Sequence, residues 1–206
     1  MSLDELNKQL SAINVIQGNE FRAKLQDDDG DDMTPEENWD LMVNSVRQFT
    51  RAKKWDEALD ALVYLSNQDN NPLVFSARAQ AAWLALKTPV PVSQVTQFLY
   101  KLMITLTATH PAAPAMASLA NFMVNNRKDE DPDRPLAEFH VQQMYQHCLD
   151  DPNGEATTES FQKWVTENQL DQPDYFIPIV MEVLEELVGD SWWVDRATVE
   201  ADMTQA

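Results

Sequence analysis

The sequence is poor in the residues that phosphate-binding loops and disulfide frameworks require. It has four glycines and one cysteine among 206 residues, and the glycines are widely separated. Loops that cradle phosphate need clustered glycines, because the backbone must approach the phosphate closely. The single cysteine, Cys148, cannot form an intramolecular disulfide, which fits a reducing compartment. The composition therefore argues against P-loop and dinucleotide-binding motifs, and we expect a cytoplasmic protein without cofactors.

Long apolar runs are also missing. In the most apolar region, residues 90–126, polar residues, prolines and Lys101 interrupt every run before it reaches the roughly 18 residues that span a membrane. The first ten residues, MSLDELNKQL, carry acids where a signal peptide would carry bases. We therefore expect a protein that is not attached to a membrane.

Basic residues are scarce, with 15 Lys and Arg against 34 Asp and Glu and a net charge of -19. The imbalance is concentrated in residues 127–206, which carry 5 basic and 19 acidic side chains, whereas residues 1–126 carry 10 and 15. An acidic surface repels the phosphates of nucleic acids and anionic lipids. We therefore expect no direct nucleic acid binding and favour a basic protein partner. The alternatives are mimicry of DNA toward a DNA-binding protein, and solubility alone.

Apolar residues recur at spacings of three and four almost throughout the chain, and strand-like alternation is nearly absent. This pattern predicts an all-α protein, an irregular multi-helix bundle of helical hairpins with about nine to eleven helices and no sheet. The stretch TPEE predicts a helix start, with Thr34 as N-cap and Glu37 completing a capping box. One hairpin contains Trp55-x-x-Ala58, which resembles the start of the second helix of a tetratricopeptide unit. No second copy follows at that period, so the resemblance is one of hairpin shape.

The chain divides into two predicted parts. Residues 1–33 are expected to form an N-terminal amphipathic helix and an acidic flexible linker, and residues 34–206 a single all-α domain. Within that domain the buried centre is expected at about 72–126 and the acidic half at 127–206. In the last strongly apolar helix, the spacing predicts that these side chains are buried: Phe176, Ile179, Val180, Val183, Leu184 and Leu187.

The stretch LQDDDGDDMTPEE partly matches the calcium loop D-x-[DN]-x-[DN]-G-x5-E. With Gly30 sixth, Asp27 is third, Asp29 fifth and Glu36 twelfth, but the first position is Leu25. The first position normally supplies a carboxylate ligand, so one charge and one coordination site are missing. We interpret the stretch as a turn and a helix start. Asp27, Asp29 and Glu36 are then only weak candidates for a metal site, and weak calcium binding is an alternative function.

The sequence carries no recognisable catalytic constellation. His140 and His147 lie two helical turns apart, about 10 Å along the axis, which is too far for both to bind one metal ion without strain. Cys148 adjoins His147, but neighbouring residues on a helix point in different directions and do not form a dyad. Paired acids are abundant on any solvated acidic helix. We therefore expect no catalytic residues and a non-enzymatic interaction module of the adaptor, chaperone or inhibitor type.

Four basic residues, Arg47, Arg51, Lys53 and Lys54, cluster in this acidic chain. We expect them to act as an internal counter-charge to the acidic loop or to the C-terminal half. A small site for an anion or a partner is the alternative.

Two adjacent tryptophans, Trp192 and Trp193, follow the last strong helix. Neighbouring residues face differently, so one ring can be buried while the other is exposed. An exposed tryptophan rimmed by Asp190, Asp195 and Glu200 would suit a basic partner, and these five residues are the candidate partner-binding set. In the alternative, both rings fold back onto the bundle as a lid.

Overall fold

The computed structural model describes residues 34–106, 110–149 and 158–204. These residues form helices and no strand, so the all-α prediction is confirmed. The predicted N-terminal helix and acidic linker, residues 1–33, lie outside the described residues. The helices are α1 Pro35–Arg51, α2 Trp55–Ser66, α3 Val74–Lys87, α4 Val92–Met103, α5 Ala112–Asn125, α6 Arg134–Cys148, α7 Thr158–Glu167, α8 Pro173–Val188 and α9 Arg196–Met203.

The predicted capping box starts α1. The Thr34 hydroxyl accepts a hydrogen bond from the Glu37 backbone N–H at 3.2 Å, and the Glu37 carboxylate accepts one from the Thr34 backbone N–H at 2.8 Å. The backbone and side-chain hydrogen bonds from Thr34 lower the pKa of the Glu37 carboxyl. Two backbone donors that the helix cannot satisfy internally are thereby paired, and the prediction is confirmed.

Four helices pack in a closed ring at the centre of the fold. Helix α3 contacts α4, α4 contacts α5, α5 contacts α8, and α8 returns to α3. Phe122, near the end of α5, meets Phe176, near the start of α8, with ring centroids 6.0 Å apart. Helices α5 and α8 are therefore antiparallel. Helices α3, α4 and α5 lie within the predicted buried centre at 72–126.

Other helices attach to this ring directly or through a neighbour. Helix α1 pairs with α2, and α2 attaches the hairpin to α3, while α6 packs against α4 and α5. Helix α6 is parallel to α4, because His140 meets Thr96 at one end and Cys148 meets Met103 further along. Helix α9 contacts both α1 and α3, so the end of the described chain returns to the beginning.

Helix α8 departs from its predicted burial along one edge. Phe176, Val180 and Leu184 are buried as expected, each at most 2% exposed. The prediction was wrong for the other three, because the structure leaves them half-buried: Ile179, Val183 and Leu187. Apolar spacing defines a stripe on α8, but the ring covers only the part of that stripe that faces α3 and α5.

Candidate functional site

The two adjacent tryptophans lie in a short segment, residues 191–195, that we call the strap. The Trp193 ring packs edge-on against Trp39 of α1 at 5.7 Å, and the Trp192 ring packs edge-on against Trp83 of α3 at 5.3 Å. Edge-to-face aromatic pairs at these distances stabilise beyond simple burial, by about 0.5–1.5 kcal/mol each. The strap therefore ties the end of the chain to both α1 and α3.

One buried side chain on α3, Gln80, holds the backbone of the strap. Its amide NH2 donates to the Ser191 carbonyl at 3.2 Å. Its carbonyl oxygen accepts from the Trp193 N–H at 2.7 Å and from the Val194 N–H at 3.1 Å. Gln80 is fully buried, and unpaired polar groups at such a depth would be costly. Gln80 thus satisfies backbone groups that the strap cannot pair with its own neighbours.

A second buried contact completes the attachment on α1. The Thr50 hydroxyl accepts from the Asp195 backbone N–H at 3.1 Å and donates to the Val46 carbonyl at 2.9 Å. The Asp195 carboxylate then accepts from the Thr198 N–H at 3.2 Å and so caps α9. Asp195 therefore both anchors the end of the strap on α1 and caps the start of α9.

Arg196 covers the outer face of Trp192. Its guanidinium carbon lies 4.6 Å from the centroid of the Trp192 ring and 5.6 Å from that of Trp83. The same guanidinium pairs with the Glu185 carboxylate on α8 at 2.9 Å. Cation–π contacts at exposed sites contribute about 0.5–1 kcal/mol. Arg196, the first residue of α9, therefore fixes Trp192 over α3 and joins the start of α9 to α8.

The structure buries some members of the candidate partner-binding set and leaves others exposed. Trp193 is 6% exposed and belongs to the core, while Trp192 is half-buried beneath Arg196. Both rings fold back onto the bundle, which is the lid arrangement named above as the alternative. Asp190 and Glu200 are exposed, whereas Asp195 is engaged as the α9 cap. Partner binding by this set stays a prediction, and Asp190 and Glu200 are its most accessible members.

The basic cluster partly neutralises the C-terminal end. Arg51 pairs with Asp195 at 3.2 Å and Lys53 pairs with Asp202 at 2.5 Å. The internal counter-charge role is confirmed for these two residues. Exposed ion pairs of this kind contribute little to stability, about 0–1 kcal/mol each, so their main effect is to orient α9.

The histidine and cysteine candidates on α6 lie against the core. His140 is 9% exposed, and its Nδ1 lies 3.0 Å from the Thr96 hydroxyl, with the ring stacked on Tyr100. Burial lowers the pKa of His140, so the neutral imidazole is favoured. Burial also raises the pKa of the Cys148 thiol to about 12, which suppresses its nucleophilic thiolate. These features fit packing roles at the interface of α4 and α6.

Metal binding finds little support in the described part of the chain. No group of three His, Cys, Asp or Glu side chains placed to hold a metal ion occurs there. Asp27 and Asp29 lie outside the described residues, and Glu36 is exposed in the first turn of α1. The weak calcium site therefore stays a prediction.

A groove of about 540 Å³ opens between the start of α1 and the loop joining α2 to α3. Trp39, Tyr64 and Pro72 contribute apolar surface, and the neighbouring polar groups are mainly amides. Among the described lining residues the only charged side chain is Glu36. The described residues that line the groove include no acid and base placed together, which is the arrangement that proton transfer requires.

The acidic side chains of the C-terminal half form two groups. One group pairs with the few bases of the chain: Asp129 and Glu138 with Arg134, Glu167 with Lys163, Glu185 and Glu200 with Arg196, Asp195 with Arg51, and Asp202 with Lys53. The second group is exposed and makes no ion pair within the described ranges, and it includes Glu130, Asp171, Asp174, Glu182, Glu186 and Asp190. Residues 127–206 hold five bases and 19 acids, so much of the negative charge of this half is unmatched.

Comparison of the chain with protein-family models, with curated protein sequences and with solved structures gave no match. None of the described helices is long and apolar enough to cross a membrane. The fold places the chain in the all-α class.

Proposed function

We propose that this chain is a non-catalytic protein-interaction module that binds a basic partner protein through the acidic surface of its C-terminal half. It acts as an adaptor, chaperone or inhibitor in the cytoplasm. The single cysteine supports that compartment, because it makes the fold independent of an intramolecular disulfide.

The unmatched charge of the C-terminal half carries the proposal. Arg134 and Arg196 are each engaged by two carboxylates, and the five bases of residues 127–206 are too few to match their 19 acids. On α8 the exposed acids Asp174, Glu182 and Glu186 make no ion pair among the described residues. A surface of one sign steers an oppositely charged partner and raises its association rate, and the effect weakens as salt screens it.

The environments of the nucleophile and base candidates support a non-catalytic role. A useful thiol needs a lowered pKa, but burial raises that of Cys148 to about 12. His140 is occupied by Thr96 within the packed interface of α4 and α6. The buried polar contacts at Gln80 and Thr50 anchor the strap.

The test is to crosslink the full-length protein in its native cell, identify the captured protein, and measure the affinity of the purified pair. We expect a basic partner whose affinity falls at least tenfold between about 50 mM and 500 mM salt. A neutral or acidic partner, or an affinity independent of salt, would contradict the proposal. If the partner is a DNA-binding protein and its DNA competes with this chain, the DNA-mimic alternative is supported.

A further inference from the structure

One edge of α8 presents apolar side chains that the fold leaves uncovered. Tyr175 is 44% exposed, and Phe122 of α5, whose ring meets the neighbouring Phe176, is 40% exposed. Behind them Ile179 and Val183 are only half-buried, although they pack against the core. Exposed aromatic rings grouped beside half-buried aliphatic residues mark surfaces that contact other molecules.

The position of this edge follows from helical geometry. Tyr175, Ile179, Glu182 and Glu186 recur at spacings of four, three and four, so they share one face of α8. Glu185 lies about a quarter turn to one side of this face, where it pairs with Arg196, which itself stacks over Trp83 of α3. Phe176, whose ring meets Phe122 of α5, lies about a quarter turn to the other side, so the exposed face that carries Tyr175 points away from the core and borders α5 along one flank.

The face changes from apolar to acidic along α8. Its start carries the two exposed aromatic rings, and its end carries Glu182 and Glu186, which make no ion pair in the described part of the chain. Near the aromatic end of the face, the α5 positions Asn121 and Asn125 are neutral, and the exposed bases Arg127 and Lys128 follow the helix. A ligand that covers this face must thus be apolar at one end and cationic at the other.

We propose that this α5–α8 face, consisting of Phe122, Tyr175, Ile179, Glu182 and Glu186, is the docking site for a basic amphipathic helix of the partner. The proposal rests on the proposed function and names the surface and the ligand chemistry. Tyr175 and Glu186 are eleven residues apart, about 16 Å along the helix, so the ligand helix needs about three turns in contact. Its apolar residues lie over Phe122 and Tyr175, and two Lys or Arg side chains one turn apart reach the glutamates.

The experiment uses three fluorescent peptides of about 18 residues, long enough to be substantially helical on an alanine-rich scaffold. The first carries an apolar pair at one end and two lysines two to three turns away. The second has the same composition in scrambled order, and the third has glutamates in place of the lysines. Fluorescence anisotropy measures the binding of each peptide to the full chain at about 50 mM salt.

Three variants locate the binding. Glu182→Gln combined with Glu186→Gln removes the charges, and Tyr175→Ser removes the aromatic anchor. The matched control is Glu36→Gln combined with Asp40→Asn, which removes two exposed carboxylates at the same spacing on α1. Melting temperatures of all variants establish that each is folded. We expect the patterned peptide to bind about tenfold more weakly to the first two variants and within about twofold of wild type to the control.

The possible failures are distinguishable. If the control variant weakens binding as much as the Glu182 and Glu186 variant does, or if the scrambled peptide binds as tightly as the patterned one, the attraction is diffuse. Either result overturns the docking site and leaves the proposed function standing. If the lysine and glutamate peptides bind equally tightly, both the docking site and the proposed function are contradicted. A photo-crosslinker at position 175 of the free protein tests other occupants, since a crosslink to residues 1–33 or to a second copy of the chain also overturns the proposal.

Discussion

Replacement of Gln80 by leucine tests whether this one side chain holds the C-terminal end of the protein. The substitution keeps the volume roughly constant but removes the acceptor for the Trp193 and Val194 N–H groups and the donor to the Ser191 carbonyl. Because Gln80 is fully buried, water cannot replace these hydrogen bonds without opening the strap.

The expected cost follows from the number of groups left unpaired. A buried donor without a partner costs about 1–3 kcal/mol, so two such donors cost about 2–6 kcal/mol, and the apolar leucine recovers a small part. We expect a loss near 3 kcal/mol, which lowers the melting temperature by about 6–12 °C in a chain of this size. If the substitution makes the strap detach from the bundle, the loss of stability cannot exceed the free energy with which the strap docks.

Two measurements check this prediction. Circular dichroism gives the melting temperature, and hydrogen exchange reports the protection of the Trp193 and Val194 amides, which we expect to fall first. Gln97→Leu on the exposed face of α4 serves as the control, because it makes the same chemical change where no buried hydrogen bond is lost. The reasoning is refuted if Gln80→Leu melts within about 1 °C of wild type with unchanged exchange at the strap.

Three further predictions concern single residues. Burial lowers the pKa of His140 from 6.5, so the unfolded chain takes up the proton first and the stability due to neutral His140 is lost as the pH falls below 6.5. The urea-unfolding advantage of wild type over His140→Gln should therefore shrink between about pH 7.5 and 5.5, and a constant or growing advantage would contradict this. The Cys148 thiol, with its pKa raised to about 12, should react with a thiol reagent at least tenfold more slowly in the folded protein than in denaturant, and equal rates would disprove its protection. Gly189 ends α8 with φ +57°, so Gly189→Ala should destabilise by about 1–2 kcal/mol in chemical denaturation, whereas an unchanged midpoint would show that the turn tolerates a side chain.

Local features of the fold are predictable from the sequence because their causes are local. The capping box needs only Thr34 and Glu37, three residues apart, and the helical spacing of apolar residues fixes the all-α class. Spacing also contains the signal for Trp39, which precedes the buried Met42 and Val46 at helical intervals.

The strap and the uncovered edge of α8 depend on contacts that no local pattern encodes. Gln80 is 113 residues from Trp193 in sequence, and although it falls within the predicted buried centre at 72–126, no local pattern shows which backbone groups it pairs with. Likewise, the apolar stripe of α8 shows which residues can be buried but not which neighbouring helix covers them. Ile179 and Val183 were therefore expected in the core, and their half-buried state is visible only once the ring of helices is assembled.

The central claim is that the acidic C-terminal half receives a basic partner, with the α5–α8 face as the contact. Hydrogen-exchange mass spectrometry of the purified complex, compared with the free full-length chain, tests it most directly. We expect binding to slow exchange in the first turns of α8 and at the end of α5, while the strap at 191–195 stays unchanged because it is already held by Gln80. Protection confined to the α1–α2 hairpin or to the strap, with residues 173–188 unaffected, would contradict the account.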